Sequence, residues 1–157
     1  MKKNSINVPA KMTQETVDIL RASGAHGLEG VTLWLAQPMN GERTITQVYT
    51  PEHEADSDYF HIPPHAMSAL LQHLGQTNMF IAAQVHSHPY EAFHSPADDR
   101  WAIIRHEGAL SLVVPDFAVH TGIDNFIDEV AAFRLDHKNV WRELGETERR
   151  ATLHILQ

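Results

Sequence analysis

The sequence predicts an α/β domain, a single mixed β-sheet with helices packed against its faces. Three observations carry that expectation. Short apolar runs rich in branched residues, at Val31 to Gln37, Met79 to Val85 and Ala109 to Val114, alternate with stretches whose apolar residues recur at helical spacing. Gly or Pro stands at the end of most of these runs (Pro9, Gly24, Pro38, Gly75, Pro89, Pro115), so the elements are short and turn back on one another. The length, 157 residues, suits one domain, residues 1–157, with one sizeable core.

Taken in order, Ile6 to Val8 reads as a short strand stopped by Pro9, and Thr13 to Ser23 as a helix terminated by Gly24. Ala25 to Leu28 is a loop. Val31 to Gln37 is a buried strand, and the Asn40-Gly41 pair predicts a hairpin into a partner strand over Thr44 to Tyr49. Glu52 to Asp58 is an acidic connector, followed by a short strand over Tyr59 to Ile62. Pro63-Pro64 opens a helix whose stripe is Met67, Leu70, Leu71 and Leu74, ended by Gly75. Met79 to Val85 is a strand. Pro96 to His106 is a helix that buries Trp101, Ile103 and Ile104, and Trp34 is a second core aromatic. Ala109 to Val114 is a strand covered on both faces, with Asp116 in the turn after it. Glu129 to Leu135 is a last sheet strand, with a helix as the alternative; Val140 to Arg142 adds an edge pairing, and Glu146 to Leu156 permits a helix.

Composition excludes several function classes. A formal net charge of -8 argues against a nucleic-acid partner, which calls for a basic patch, and weakly favours a partner with a basic tail or face. The absence of cysteine removes thiol nucleophiles, disulfides and thiolate metal ligands together, and with them a zinc site of the cytidine deaminase type. Met1-Lys2-Lys3 leads into no apolar run, and no stretch approaches the ~18 apolar residues of a membrane span. The expectation is a soluble cytoplasmic protein with no membrane partner.

The chemistry concentrates between Gln84 and Asp99. Residues i and i+2 of an extended chain point to the same side, so His86 and His88 at the exit of a strand can address one point. Pro89 lacks a backbone donor and takes the chain out of the sheet. Ser95-Pro96 is a helix start, a hydroxyl N-cap followed by proline at the first helical position, which places Asp98 in the first turn. Two His and one carboxylate, with a fourth position left to water, is a ligand set used by catalytic zinc. An isolated H-x-H in a chain with twelve His is weak, and an acid in a first helical turn is favoured by the helix dipole alone. Their coincidence with Pro89 and Ser95 is what gives the pattern weight. His94, His106 and His120 read as polar or packing residues, with His94 notable for its place beside Ser95, and His61, His65 and His73 as solvated.

His86-Ser87-His88-Pro89, a short loop and Ser95-x-x-Asp98 resemble the signature of the JAMM metalloproteases, also called JAB or MPN-plus domains. That family adds a glutamate far upstream, at the start of a core strand, and Glu29 before Val31 is the matching residue. The resemblance covers roughly Met12 to His137. Six residues separate His88 from Ser95 where the family usually has seven, which leaves Asp99 as a second candidate for the ligand position of Asp98.

The resemblance implies a JAB/MPN-like sandwich of the cytidine-deaminase-like kind, and Zn2+ as the cofactor. It implies Glu29 as the group that takes a proton from water and returns it to the leaving nitrogen. For Ser95 it implies a hydrogen bond to the developing oxyanion, whereas the local sequence favours a helix cap. The substrate it implies is the bond after the extended C-terminal tail of a ubiquitin-like protein or its conjugates, in precursor processing or deconjugation. The tail would add as a strand to a sheet edge. Compact members of this kind accompany ubiquitin-like activating and conjugating enzymes, some in antiphage operons. Two alternatives stand beside it: a small-peptide or cysteine-releasing metallopeptidase in sulfur transfer, and a non-catalytic MPN-type scaffold.

Overall fold

The computed structural model describes residues 5–39, 43–100 and 102–157. In chain order the elements are β1 (Ile6–Pro9), α1 (Ala10–Gly24), β2 (Val31–Ala36), β3 (Ile45–Tyr49), β4 (Glu54–Ala55), β5 (Phe60–His61), α2 (Pro64–Thr77) and β6 (Phe80–Ser87). They continue as α3 (Pro96–Arg100), β7 (Leu110–Val114), a single turn at Asp116–Ala118, α4 (Phe126–Glu129), β8 (Ala131–Leu135), β9 (Trp141–Glu143), α5 (Glu146–Thr152) and β10 (Leu153–Leu156).

A six-stranded sheet runs in the order β3-β2-β6-β7-β8-β9. Only β6 and β7 pair in parallel; β2 with β3, β2 with β6, β7 with β8 and β8 with β9 are antiparallel. The mixed sheet of the expectation is therefore observed. Alternation along β2 sorts the two faces. Trp34 and Ala36 face α1, where they join Val17, Leu20, Val85, Leu112 and Phe126. Leu33 and Leu35 face α2, against Leu70 with Met67 and Leu74. Trp34 is a core aromatic as read: fully buried, its indole N–H donates to Thr16 Oγ1 at 2.8 Å. The parallel pair is what places the site. The crossover from β6 to β7 makes both strands finish at the same end of the sheet, and α3 lies within that crossover.

Several boundaries depart from the sequence reading, each through a long-range contact or a local cap. The segment 146–156 is a short helix, then a strand: β10 pairs in parallel with β1, and Leu153 is buried opposite Ile6. The helix expected over 96–106 stops at Arg100. Gln84, buried on β6, accepts the Ile103 N–H through Oε1 at 2.9 Å and donates to Ser111 Oγ at 3.0 Å, which fixes residue 103 in a non-helical course. Ile103 and Ile104 still pack into the interior from that course. Helix α2 passes through Gly75 and ends at Asn78 in the left-handed conformation, so Asn is the terminator. Leu71 leaves the expected stripe and is exposed. Helix α1 begins at Ala10, three residues before Thr13, and Glu129 closes α4 before the strand starts at Ala131. The expected Asn40-Gly41 turn and Trp101 fall outside the described residues. Among the described residues no helix is long and apolar enough to cross a membrane.

Candidate metal centre

The carboxyl end of β6 and the residue just after it deliver two imidazoles. His86 is paired with Val31 of β2 and Val113 of β7, so its backbone is held on both sides. His88 lies just beyond the strand, with its N–H donating to Val114 O at 2.9 Å and its carbonyl accepting from Phe117 N–H at 2.8 Å. The carboxylate comes from α3. Ser95 Oγ accepts the Asp98 N–H at 3.1 Å, and Asp98 Oδ2 accepts the Ser95 N–H at 2.7 Å. This is a reciprocal capping box, and it turns Asp98 back over the start of its own helix toward the histidines. The same Oδ2 is 3.0 Å from His88 Nε2, while Oδ1 is 3.1 Å from His86 Nε2. Asp99 points elsewhere: it is exposed and pairs with Arg105, whereas Asp98 stands against both histidines.

His86, His88 and Asp98 are 0%, 3% and 1% exposed, and their ligand-type atoms lie within 4.8 Å of one another. Tetrahedral zinc bonds of ~2.1 Å separate donors by about 3.4 Å, which this set can satisfy. The orientation of His86 supports a metal ion more directly. Its Nε2 is close to Asp98 Oδ1 but misdirected for a hydrogen bond, and both of its ring nitrogens are buried without a hydrogen-bond partner. Buried polar atoms without partners are rare and ask for a reason; for Nε2, a ligand-type atom gathered with those of His88 and Asp98, a shared ion supplies one.

Glu29 joins the cluster from the loop that leads into β2, the strand paired with β6. Its N–H donates to Asp56 O at 2.8 Å, and the next residue, Gly30, is clamped to β6 by two bonds of 3.0 Å to the Ser87 hydroxyl and N–H. The carboxyl is 1% exposed, with Oε1 3.6 Å from His88 Nε2 and Oε2 without a partner. Burial, reinforced by the charges of Asp98 and Asp58, pushes its pKa up to about 9. Asp98 moves the opposite way. Its burial favours the neutral acid, but His86, His88 and the Ser95 N–H together outweigh that and hold it well below the usual carboxylate range. His94 sits behind His86, and burial lowers its pKa to about 4.

The structure thus gathers Glu29, His86, His88, Ser95 and Asp98 in one place. A cleft of about 760 Å³ opens onto them, lined by Glu29, His88 and Ser95 together with Tyr90, Phe93 and Phe117. Ser87, Gln84 and Asp58 also shape the site, in roles the sequence does not reveal, because a serine between two histidines, a glutamine in a strand and an acid in a loop carry no local signal for these contacts. His61 and His73 are half-buried rather than solvated: His61 lies 3.8 Å from Glu54, and His73 bonds Gln47 Oε1 at 2.7 Å.

No family model matches the sequence. A curated relative, the probable metalloprotease y4jG of Sinorhizobium fredii, is 35% identical over 129 residues, 80% of this chain and 78% of that protein. The chain belongs to the family of that probable metalloprotease. The relationship and the buried His-His-Asp group together support a metallopeptidase. Among solved structures, protein DSY2949 from Desulfitobacterium hafniense shares the fold with a TM-score of 0.70, covering 97% of this chain and 93% of that one at 15% identity.

Proposed function

We propose that this metallopeptidase is a zinc enzyme of the JAMM (JAB/MPN-plus) type, and that it hydrolyses the peptide or isopeptide bond after the tail of a ubiquitin-like protein. The observation that carries the reading is the convergence of His86, His88 and Asp98, with Glu29 beside them at the floor of an accessible cleft. Zinc, when bound, acts as a Lewis acid that lowers the pKa of water toward ~7. The chain's own residues supply the rest. Glu29 is poised to hold the proton taken from water and to return it to the leaving nitrogen. Positive charge gathered at the three ligands would bring its raised pKa down toward neutrality, where that exchange is efficient. The Ser95 oxygen is occupied as an acceptor, which leaves its O–H to donate to the oxyanion, so capping and catalysis are compatible in one side chain.

The cleft mouth fits an extended peptide. Tyr90 and Phe93 are 77% and 51% exposed there, and Phe93 meets His88 edge-on at 4.7 Å between ring centres. Asp58 and Glu91 line the same mouth, and among the described residues no Lys or Arg does. Apolar and basic side chains of a flexible tail would complement that frame.

The test is a comparison of ubiquitin-like proteins carrying tail extensions or isopeptide-linked lysine with short peptides of the same tail, on zinc-quantified protein. Cleavage of the protein substrates at least 100-fold more efficient than of the peptides is the expected result. Equal efficiency on short peptides would favour the small-peptide or cysteine-releasing alternative. Purified protein that contains no zinc and cleaves neither class would return the chain to an interaction scaffold.

A further inference from the structure

We propose that His94 is a positioning residue for His86, holding that ring in direction through one buried bridging water. The inference rests on the metal-centre reading but concerns a residue outside the ligand set.

His94 is fixed on one side by aromatic packing: its ring centre lies 5.2 Å from Phe133 and 5.0 Å from Trp141. On the other side it meets His86 edge-on, with ring centres 6.4 Å apart and planes at 67°. Besides His86 Nε2, which faces the ligand cluster, three buried ring nitrogens among the described residues of this group have no hydrogen-bond partner: His86 Nδ1, His94 Nε2 and Trp141 Nε1. Their chemistry is complementary. With His86 Nε2 facing His88 and Asp98, the proton of a neutral His86 ring belongs on Nδ1, which makes that atom a donor. A neutral His94 with its proton on Nδ1 offers Nε2 as an acceptor.

A metal-ligating histidine nearly always donates its outer N–H to a carboxylate, a carbonyl or a water, and that contact sets the tautomer and the ring direction. Among the described residues His86 Nδ1 bonds no carboxylate or carbonyl, and His94 is a neighbouring ring with an unused nitrogen. A direct bond would bring the two ring centres to about 5.2 Å or less, so the spacing calls for a single water between them. The indole N–H of Trp141 is a third polar group available to that water, and buried waters typically make about three hydrogen bonds.

The experiment uses the full chain, wild type, His94→Phe and His94→Gln. Phe keeps the aromatic packing and removes the acceptor, whereas Gln restores a polar partner. Zn2+ affinity is measured by chelator competition. Proton–nitrogen correlation spectra of the zinc-loaded protein report the His86 Nδ1–H and the tautomer of His94.

The expected result is a Zn2+ affinity lower by about 10–100-fold in His94→Phe, with substantial recovery in His94→Gln and an unaltered melting temperature of the metal-free protein. In wild type the His86 Nδ1–H should be protected from exchange, and in His94→Phe it should be lost. Unchanged affinity in His94→Phe overturns the inference and leaves the metal centre standing, whereas wild type that binds no zinc removes both. If His94→Phe fails to fold, the wild-type spectrum decides alone: a proton on His94 Nε2 overturns the proposal.

Discussion

Glu29 is the residue on which turnover and metal binding are expected to separate. Its carboxyl faces the histidines without belonging to the ligand set, so Glu29→Gln should reduce kcat by about 10²–10⁴-fold while the zinc content of the purified protein stays at the wild-type level. Loss of zinc in that variant would make Glu29 a ligand instead. Its elevated pKa has a second consequence in chelated protein. A carboxyl at about 9 in the folded chain and near 4.5 in the unfolded chain stabilises the fold fully below pH 4.5 and loses that contribution progressively up to pH 9. The melting temperature of metal-free Glu29→Gln should therefore gain on metal-free wild type as pH rises from 5 to 9; a constant difference would show that Glu29 does not titrate so high. At this scale the histidines were legible because side-chain alternation is local geometry, and Asp98 because Ser95-x-x-Asp98 is a local cap. The burial of Glu29 was not, since it depends on Ser87 and Asp56, 58 and 27 residues away in sequence.

The short elements around the site are held by contacts that substitution can address one at a time. Helix α3 has five residues and a capping box that does double duty, closing the helix start and aiming Asp98. Ser95→Ala should cost about 1 kcal/mol of stability through the cap and about 10²–10³-fold in kcat through the oxyanion contact. Ser95→Thr, which keeps the hydroxyl, should restore both, and a cap-only role would show as lost stability with kcat preserved. The turn after β7 was legible at Asp116, but its backbone course was not. Asp116, Phe117 and Ala118 all have positive φ (51°, 50° and 62°) although none is Gly or Asn, so nothing local marks the left-handed conformation. Tertiary contacts impose the conformation. Arg21 donates to Ala118 O at 2.8 Å and to Thr121 O at 2.5 Å, and Gly24 lies directly against Phe117. A methyl group at Gly24 would collide with the Phe117 side chain. Gly24→Ala should therefore destabilise the protein by about 1–3 kcal/mol, read by denaturant unfolding, and should raise KM because Phe117 lines the cleft. Unchanged stability would mean that the turn can yield. The same reasoning explains why β10 escaped a local reading: a helix-permissive run becomes a strand only once β1, at the far end of the chain, offers it a partner.

At the scale of the whole molecule, the proposed metal joins parts of unequal rigidity. His86 belongs to a central strand paired on both sides, whereas Asp98 comes from a one-turn helix in a long crossover, secured largely by its cap and by Gln84. An ion gripped by both ends of that arrangement ties the crossover to the sheet. Its stabilisation should follow mass action, about 2.7 kcal/mol at a free zinc concentration 100 times the Kd. Because the sheet core is already paired and buried, the effect should be local as well as global. Chelation should speed amide exchange over residues 91–106 and around Glu29, with little change in β2, β7 and β8 beyond the fall in global stability, while the melting temperature drops and recovers on adding zinc. Uniform acceleration across the sheet would show that the metal supports the entire fold, and no acceleration in 91–106 would mean that Asp98 is held in place without it.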